Sequence, residues 1–204
     1  SEHGVELFNK NDDPLLEYLD DDGFKIEPKY FVPTLPTVLI NGAEGIGTGY
    51  SSTVPCYNPK DIKKQILKIL DGKQPDMIHP WYKGFEGTVE PGEVDQSYIM
   101  KGVYRVTGRT TVEITELPVG KWTQDYKEFL ESVSEGVTTK TPLVTSYENH
   151  STETKVKFIV RFDDRLLQKM IKNGTFEKEM KLTTNISTRN MHLFDANYNI
   201  KKYN

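Results

Sequence analysis

Four glycines, Gly42, Gly45, Gly47 and Gly49, lie close together, and one large apolar residue, Ile46, stands between two of them. Because glycine has no Cβ, such a segment can bring its backbone close to another molecule and present N–H groups to phosphate oxygens. Ile46 then has two alternatives. It can fold inward and fill the core, which the composition alone favours, or it can stand outward and insert between stacked bases, as the apolar wedges of DNA-bending proteins do.

Other chemistries fit the sequence less well. The spacing Gly45-x-Gly47-x-Gly49 differs from G-x-G-x-x-G, and no Gly-Lys-Ser/Thr follows that could hold a nucleotide phosphate and Mg²⁺. The four histidines lie far apart and have no helping cysteines, so we expect no metal site. Cys56 is the single cysteine, which excludes an internal disulfide.

The elements on either side of the glycines should position them. Residues 38–40 are Val, Leu and Ile, a run that predicts a short buried strand leading into a glycine loop. Before it, Asp12 and Pro14 predict the start of a helix that ends at Gly23, and three prolines keep the chain extended up to Pro36.

A second helix should follow the glycine segment. Asn58 and Pro59 predict its start, and Gly72 predicts its end after about Asp71. Its apolar residues recur at helical spacing and are Ile62, Ile66, Ile69 and Leu70. Lysines crowd its other side, which is typical of a solvated face, and a phosphate-facing surface is the alternative.

The remainder of the chain predicts a meander of strands at 87–90, 98–106 and 110–117, the last two joined by a turn at 107–109. In the third strand, Val112 and Ile114 should pack inward. Thr123 should cap a helix that closes at Gly136.

A further strand is predicted at 154–162, with Lys155, Lys157 and Arg161 on one face. Three like charges on one face could keep that strand soluble, or they could contact phosphates without regard to base sequence. Asp163 should cap a last helix that ends at Gly174. The tail, 181–203, reads as paired strands with a turn at 197–199.

These elements alternate irregularly, so we predict an α+β fold with a mostly antiparallel sheet and flanking helices. The 204 residues could form one large domain or two small lobes, and no apolar run approaches the length of a membrane span. The net charge of −4 counts against a free-standing nucleic-acid binder, which is usually basic. We therefore interpret the chain as one piece of a larger DNA-handling surface.

Several motif blocks, taken in order, resemble the eukaryotic-type DNA topoisomerase II family. The blocks are Glu27-Pro28-x-Tyr30-x-x-Pro33-x-x-Pro36, Leu39 to Gly49, His79-Pro80-Trp81-Tyr82-Lys83-Gly84-Phe85, Thr111 to Pro118, Trp122-Thr123-Gln124-x-Tyr126, Met191-x-Leu193-Phe194-Asp195 and Lys201-Lys202-Tyr203. A glycine segment alone is a weak signal, but ordered blocks over nearly the whole chain are a strong one.

The resemblance implies a tower-like region that follows the family's catalytic tyrosine. It implies that 1–26 continue from the winged-helix region and that 27–58 hold the extended segment and the DNA-bending glycine loop. Residues 59–180 would then form the tower-like domain, and 181–204 would lead toward a coiled coil.

The resemblance also implies the site residues. Ile46 would insert between base pairs, while Asn41, Gly45, Gly47 and Thr48 contact the DNA around it. A tryptophan just before a helix usually packs onto the core, but the family contacts DNA at the position of Trp122, so we expect a DNA contact there.

For the full-length enzyme the resemblance implies double-stranded DNA as substrate, a homodimer, ATP, Mg²⁺ and a nuclear location, with no membrane partner. The chain itself has 11 tyrosines but no Arg-Tyr dipeptide, which marks the family's nucleophile. We therefore expect no catalytic residue, metal or cofactor in this chain, and no DNA cleavage by it alone.

One alternative of another class stays open. An acidic α+β protein-interaction or structural module would explain the net charge and would use the glycines as a tight turn. A salt titration separates the two, because neutralising phosphates makes affinity fall steeply with salt.

Overall fold

The computed structural model describes residues 6–134 and 142–203. The chain divides into two compact units. The first unit runs to Trp81 and includes His192–Ile200, and the second unit consists of Tyr82–Met191 and continues from Lys201. The domain boundaries implied by the resemblance stay a prediction.

The first unit begins with a 3-10 helix, Lys10–Leu15, followed by a hairpin of strands Tyr18–Asp21 (β1) and Phe24–Pro28 (β2). The predicted helix from Asp12 to Gly23 is therefore wrong. Asn9 caps the short helix, and Asp22 and Gly23 have φ of 50° and 85° and form the hairpin turn. Asp-Gly is a strong turn signal between two strands, and it outweighs the helical pattern here.

The predicted strand at 38–40 is also wrong, because these residues lie in a short helix, Thr37–Asn41 (α1). The amides of Leu39 and Ile40 donate to the carbonyl of Pro36 at 3.0 and 3.4 Å. A short apolar run does not distinguish a strand from a helix, and the φ of Pro36, −66°, suits the start of a helical turn.

The glycine segment forms a hairpin instead of the predicted loop. Strands Ala43–Gly47 (β3) and Tyr50–Val54 (β4) pair antiparallel, and Thr48 and Gly49 make the turn between them. Gly49 has a φ of 83°, which glycine adopts without strain. Glycines weaken a strand but do not prevent one when a partner strand fixes it.

The helix predicted after Asn58 is confirmed as Pro59–Leu70 (α2). The Asn58 side chain accepts a hydrogen bond from the Lys60 amide at 2.9 Å, and Gly72 follows with a φ of 72°. Ile62 is buried, whereas Leu70 is 76% exposed. No helix in the described part of the chain is long and apolar enough to cross a membrane.

The second unit contains two antiparallel sheets. One has the order β11-β6-β5 and consists of Thr88–Pro91 (β5), Ser97–Lys101 (β6) and Thr183–Ser187 (β11). The other has the order β7-β8-β10-β9 and consists of Val103–Val106 (β7), Thr111–Glu116 (β8), Ser146–Asn149 (β9) and Phe158–Arg161 (β10). The antiparallel pairing confirms the predicted fold class.

Two predicted strands are divided or shortened. The strand at 98–106 breaks at Gly102, where a Cβ would lie 2.3 Å from the carbonyl oxygen of Glu116, and the chain passes there from one sheet to the other. The strand at 154–162 begins only at Phe158. Before it, the hydroxyls of Thr152 and Ser151 accept the amides of Lys155 and Lys157 at 3.1 and 3.0 Å, so side chains take up these two amides.

Three helices pack on the second sheet: Thr123–Ser132 (α3), Asp164–Asn173 (α4) and Phe176–Glu179 (α5). The prediction for α4 is confirmed, since Asp163 accepts the Leu166 amide at 3.0 Å and Gly174 ends the helix. The predicted cap of α3 is wrong, because Trp122 holds the N-cap position and Thr123 is the first helical residue. Gly136, predicted to close that helix, lies outside the described residues.

The core of the second unit combines this sheet and these helices. The hydroxyl of Tyr126 donates to the carbonyl of Met180 at 2.9 Å inside it. The inward positions predicted in β8 are confirmed, because Val112 and Ile114 are fully buried. Other buried members are Leu130, Phe158, Val160, Leu167, Met170, Phe176 and Leu182.

The tail ends in a two-stranded sheet of Met191–Phe194 (β12) and Ile200–Tyr203 (β13). The predicted turn at 197–199 is confirmed, since the Asp195 carboxylate accepts the amides of Asn197 and Asn199 at 2.8 and 2.9 Å. The first tail strand, β11, pairs with β6 and not with its neighbours in sequence.

Candidate nucleic-acid interface

Ile46 stands on the β3–β4 hairpin with its side chain 95% exposed. The core-filling alternative is therefore wrong. Its partner across the hairpin is Ser51, and the glycines on either side of it, Gly45 and Gly47, add no side chains to the strand. The hairpin thus presents one isolated apolar side chain to whatever approaches it.

The two glycines beside Ile46 have different surroundings. A Cβ added to Gly45 would meet nothing within 4 Å. A Cβ added to Gly47 would lie 2.6 Å from Cζ of Tyr50, because the ring of Tyr50 occupies the space over that glycine. Gly45 therefore leaves the backbone accessible, whereas Gly47 makes room for a ring.

The other two residues predicted beside the wedge lie at the ends of β3. Thr48 is exposed in the hairpin turn, and Asn41 is exposed as the last residue of α1. The carbonyl of Asn41 accepts the thiol of Cys56 at 3.2 Å, and burial raises the pKa of that thiol. Gly42, with a φ of 68°, turns the chain between α1 and β3, where a Cβ would lie 2.8 Å from the carbonyl oxygen of Val54.

His192 holds β4 from a distant part of the sequence. The hydroxyl of Ser52 donates to the carbonyl of His192 at 2.8 Å and accepts the amide of His192 at 3.1 Å. Nδ1 of His192 lies 3.1 Å from the carbonyl oxygen of Ser51. Sequence reasoning missed this contact, because a lone histidine 140 residues away carries no signal of it.

Trp122 lies in the second unit, and its side chain is 75% exposed. It does not pack onto the core as a residue before a helix usually does. Trp122 borders an open cleft of about 410 Å³, together with Lys83 and Lys121. The other lining residues include Tyr82, Phe85, Glu116, Pro118 and Val156. An exposed indole beside two lysines is a surface that suits a phosphate backbone.

Two of the three predicted phosphate contacts are held by carboxylates. Nζ of Lys157 lies 3.1 Å from Glu113, which also binds Arg105 at 2.7 Å. The hydrogen bonds from Arg105 and then Lys157 hold the pKa of Glu113 below its usual value.

Arg161 lies 2.9 Å from Glu148, whose pKa is lowered first by His150 and then by Arg161. Lys155 is exposed in the turn before β10. Phosphate contact by these three cations stays a prediction, and for Lys157 and Arg161 it would compete with internal ion pairs.

No group of three or more His, Cys, Asp or Glu residues in the described part of the chain could hold a metal ion.

The family model for DNA gyrase/topoisomerase IV (the A-type subunit) matches residues 1–204. DNA topoisomerase 2 of Pisum sativum is 44% identical over 196 residues, which are 96% of this chain and 13% of that protein. DNA topoisomerase 2 of Drosophila melanogaster is 42% identical over 199 residues, 97% of this chain and 14% of that protein. The chain thus spans only a small part of these relatives.

A solved structure, described as the Plasmodium falciparum topoisomerase II DNA-binding, cleavage and re-ligation domain, superposes with a TM-score of 0.87 at 43% identity. The match covers 97% of this chain and 26% of that one. The family resemblance predicted from the ordered motif blocks is thereby confirmed.

Proposed function

The chain belongs to the A-type subunit family of DNA gyrase/topoisomerase IV, and on that premise we propose that it forms a DNA-holding and DNA-bending part of an ATP-dependent type II DNA topoisomerase. The complete enzyme passes one duplex through a transient double-strand break in another. This region grips and bends the duplex that is cut. The likeness to relatives named DNA topoisomerase 2 supports the assignment.

The observation that carries the proposal is the 95% exposure of Ile46 between two glycines on a hairpin. An isoleucine left in water gains about 1.5–3 kcal/mol when it is buried, here between two base pairs. Its β-branched side chain is also stiff, which suits a wedge. Gly45 lets the strand approach the sugar–phosphate backbone, whereas the Tyr50 ring covers Gly47.

The wedge alone does not supply the binding energy. Unstacking one base step costs a few kcal/mol, and smooth bending of the duplex adds about 1–6 kcal/mol. Burial of Ile46 offsets only part of this sum. Phosphate contacts must supply the remainder, and we assign them to Asn41, Thr48 and the Trp122 surface with Lys83 and Lys121, with Lys155, Lys157 and Arg161 as further contacts.

The chemistry of cleavage is assigned to other parts of the longer protein. The chain contains no Arg-Tyr dipeptide, so the nucleophilic tyrosine comes from elsewhere, together with the sites for Mg²⁺ and ATP. The full-length enzyme acts as a homodimer in the nucleus, and each protomer inserts one Ile46. Because a wedge reads deformability instead of base edges, the enzyme prefers easily kinked steps over any base sequence.

Affinity of the chain for a short duplex, measured across salt concentrations, tests the proposal. We expect the logarithm of affinity to fall linearly with the logarithm of salt, by about 0.9 per phosphate neutralised. Ile46→Ala and Trp122→Ala should both weaken binding, whereas Leu70→Ala, at a similarly exposed position on α2, should not. Salt-insensitive binding that neither variant changes would contradict the proposal and favour the protein-interaction alternative.

A further inference from the structure

The hairpin that carries Ile46 has little to stiffen it from within. A two-stranded hairpin is marginally stable on its own. Cross-strand side-chain pairs are what stabilise such a hairpin, and Gly45 and Gly47 provide none on either side of the wedge. A residue that pries base pairs apart must be held against the opposing force, so the hairpin needs support from outside its own two strands.

His192 supplies contacts at the right place. It bonds to Ser51 and Ser52, which are the β4 residues directly opposite Ile46 and Gly45. The Ser52 hydroxyl and the His192 backbone exchange two hydrogen bonds at 2.8 and 3.1 Å. A carbonyl oxygen can only accept, so Nδ1 of His192 carries the proton that bonds to Ser51.

The ring of His192 adds a third contact. Its centroid lies 6.0 Å from that of Tyr50, and the Tyr50 ring covers Gly47, the residue after the wedge. All of these residues belong to the first unit. The backbone and the ring of His192 on β12 therefore both contact β4, the strand that pairs with the one carrying Ile46.

We propose that His192 and Ser52 are positioning residues that hold the β3–β4 hairpin in the geometry in which Ile46 inserts into DNA. This inference rests on the proposed DNA-bending function. His192 touches no DNA in this role. It determines how far the duplex is bent once it is bound, because a loose hairpin yields where a held one forces the bases apart.

Hydrogen exchange of the DNA-free chain tests whether His192 and Ser52 hold the β3–β4 hairpin, without any assumption about DNA. His192→Ala loses one hydrogen bond and should speed exchange of the amides at 43–54 by about 3- to 10-fold. Ser52→Ala loses two hydrogen bonds and should speed exchange at least as much. His192→Asn should restore most of the protection, because its side-chain N–H can donate to the Ser51 carbonyl in place of Nδ1. His150→Ala, a histidine of the second unit, should change nothing at 43–54.

Bending of a duplex with a dye at each end tests the consequence, measured at saturating chain so that affinity does not enter. His192→Ala should lower the bent fraction by at least about 3-fold while circular dichroism keeps the folded spectrum, and His192→Asn should recover it. Unchanged exchange at 43–54 in both His192→Ala and Ser52→Ala would show that these two residues do not hold the hairpin. Faster exchange with unchanged bending would overturn their positioning role.

A different result would show that the proposed DNA-bending function itself is wrong. If the parent chain bends DNA no better than Ile46→Ala, the bending function is wrong, and the exchange data still decide whether His192 holds the hairpin.

Discussion

The ring of Tyr50 occupies the position that a side chain on Gly47 would need, since a Cβ there would lie 2.6 Å from Cζ and 2.9 Å from both Cε atoms. Position 47, next to Ile46, therefore needs a glycine because a side chain there would collide with the Tyr50 ring, and not because the backbone adopts a positive φ. The Tyr50 ring also connects the wedge to its support, because the same ring contacts His192.

Gly47→Ala should therefore displace the Tyr50 ring. We expect a loss of about 1 kcal/mol in the free energy of unfolding, at the low end for overpacking because the end of a side chain can rotate away. The ring-to-ring contact between Tyr50 and His192 should disappear from nuclear Overhauser spectra. Gly45→Ala is the matched control, and it should keep the contact because nothing lies within 4 Å of its added Cβ. Equal behaviour of the two variants would contradict this explanation of Gly47.

Trp122 should report DNA binding directly. The chain has two tryptophans, so Trp122→Phe leaves Trp81 as the single indole, and Trp81→Phe leaves Trp122. We expect the change in tryptophan fluorescence on adding duplex to vanish in Trp122→Phe and to persist in Trp81→Phe. Stability should change by less than about 0.5 kcal/mol in Trp122→Phe, since the side chain is largely exposed. A signal carried by Trp81 would contradict the assignment.

Glu113 should make stability depend on pH. Its folded pKa is depressed by Arg105 and Lys157, so its contribution is present above the ordinary value of 4.5 and is lost as pH falls through the lower folded value. Glu113→Gln should lower stability at neutral pH and flatten the fall of stability below pH 4.5. Urea unfolding across pH measures this, with Glu153→Gln, an exposed glutamate of the same unit, as control. An unchanged pH profile would show that the two ion pairs are not formed in solution.

The cations beside β10 give a separate prediction for DNA. If Lys155 contacts a phosphate, Lys155→Ala should weaken binding to all sequences alike and reduce the salt slope by about 1. Lys157→Ala should do less, because Lys157 must first leave Glu113. Affinity titrations of both variants at several salt concentrations measure these slopes. A salt slope that neither variant changes would exclude these cations from the DNA interface.

Some elements of the fold could be predicted because their signals are local. Helices α2 and α4 each follow a capping side chain, Asn58 and Asp163, and each has a glycine near its end. Residues close to each end of the helix therefore indicate where it begins and ends. The alternation of Val112 and Ile114 in β8 is likewise local, and its buried face followed directly from the period of a strand.

The predictions that were wrong or missing concern elements whose local sequence is ambiguous or whose contacts come from distant residues. A three-residue apolar run at 38–40 fits a helical turn as well as a strand, and only the hydrogen bonds to Pro36 distinguish them. The break at Gly102 depends on the carbonyl of Glu116, which no local pattern reveals. The same holds for the site: the motif indicated Ile46, but the support of its hairpin by His192 depends on a contact across 140 residues.

In the proposed function, Ile46 bends DNA by inserting between base pairs. The most direct test is energy transfer between dyes at the two ends of a short duplex, at saturating chain, for the parent, Ile46→Ala and the control Leu70→Ala. We expect that the parent and Leu70→Ala bring the duplex ends together and that Ile46→Ala, though bound and folded, leaves the duplex close to straight. Equal energy transfer for the parent and Ile46→Ala would contradict the claim.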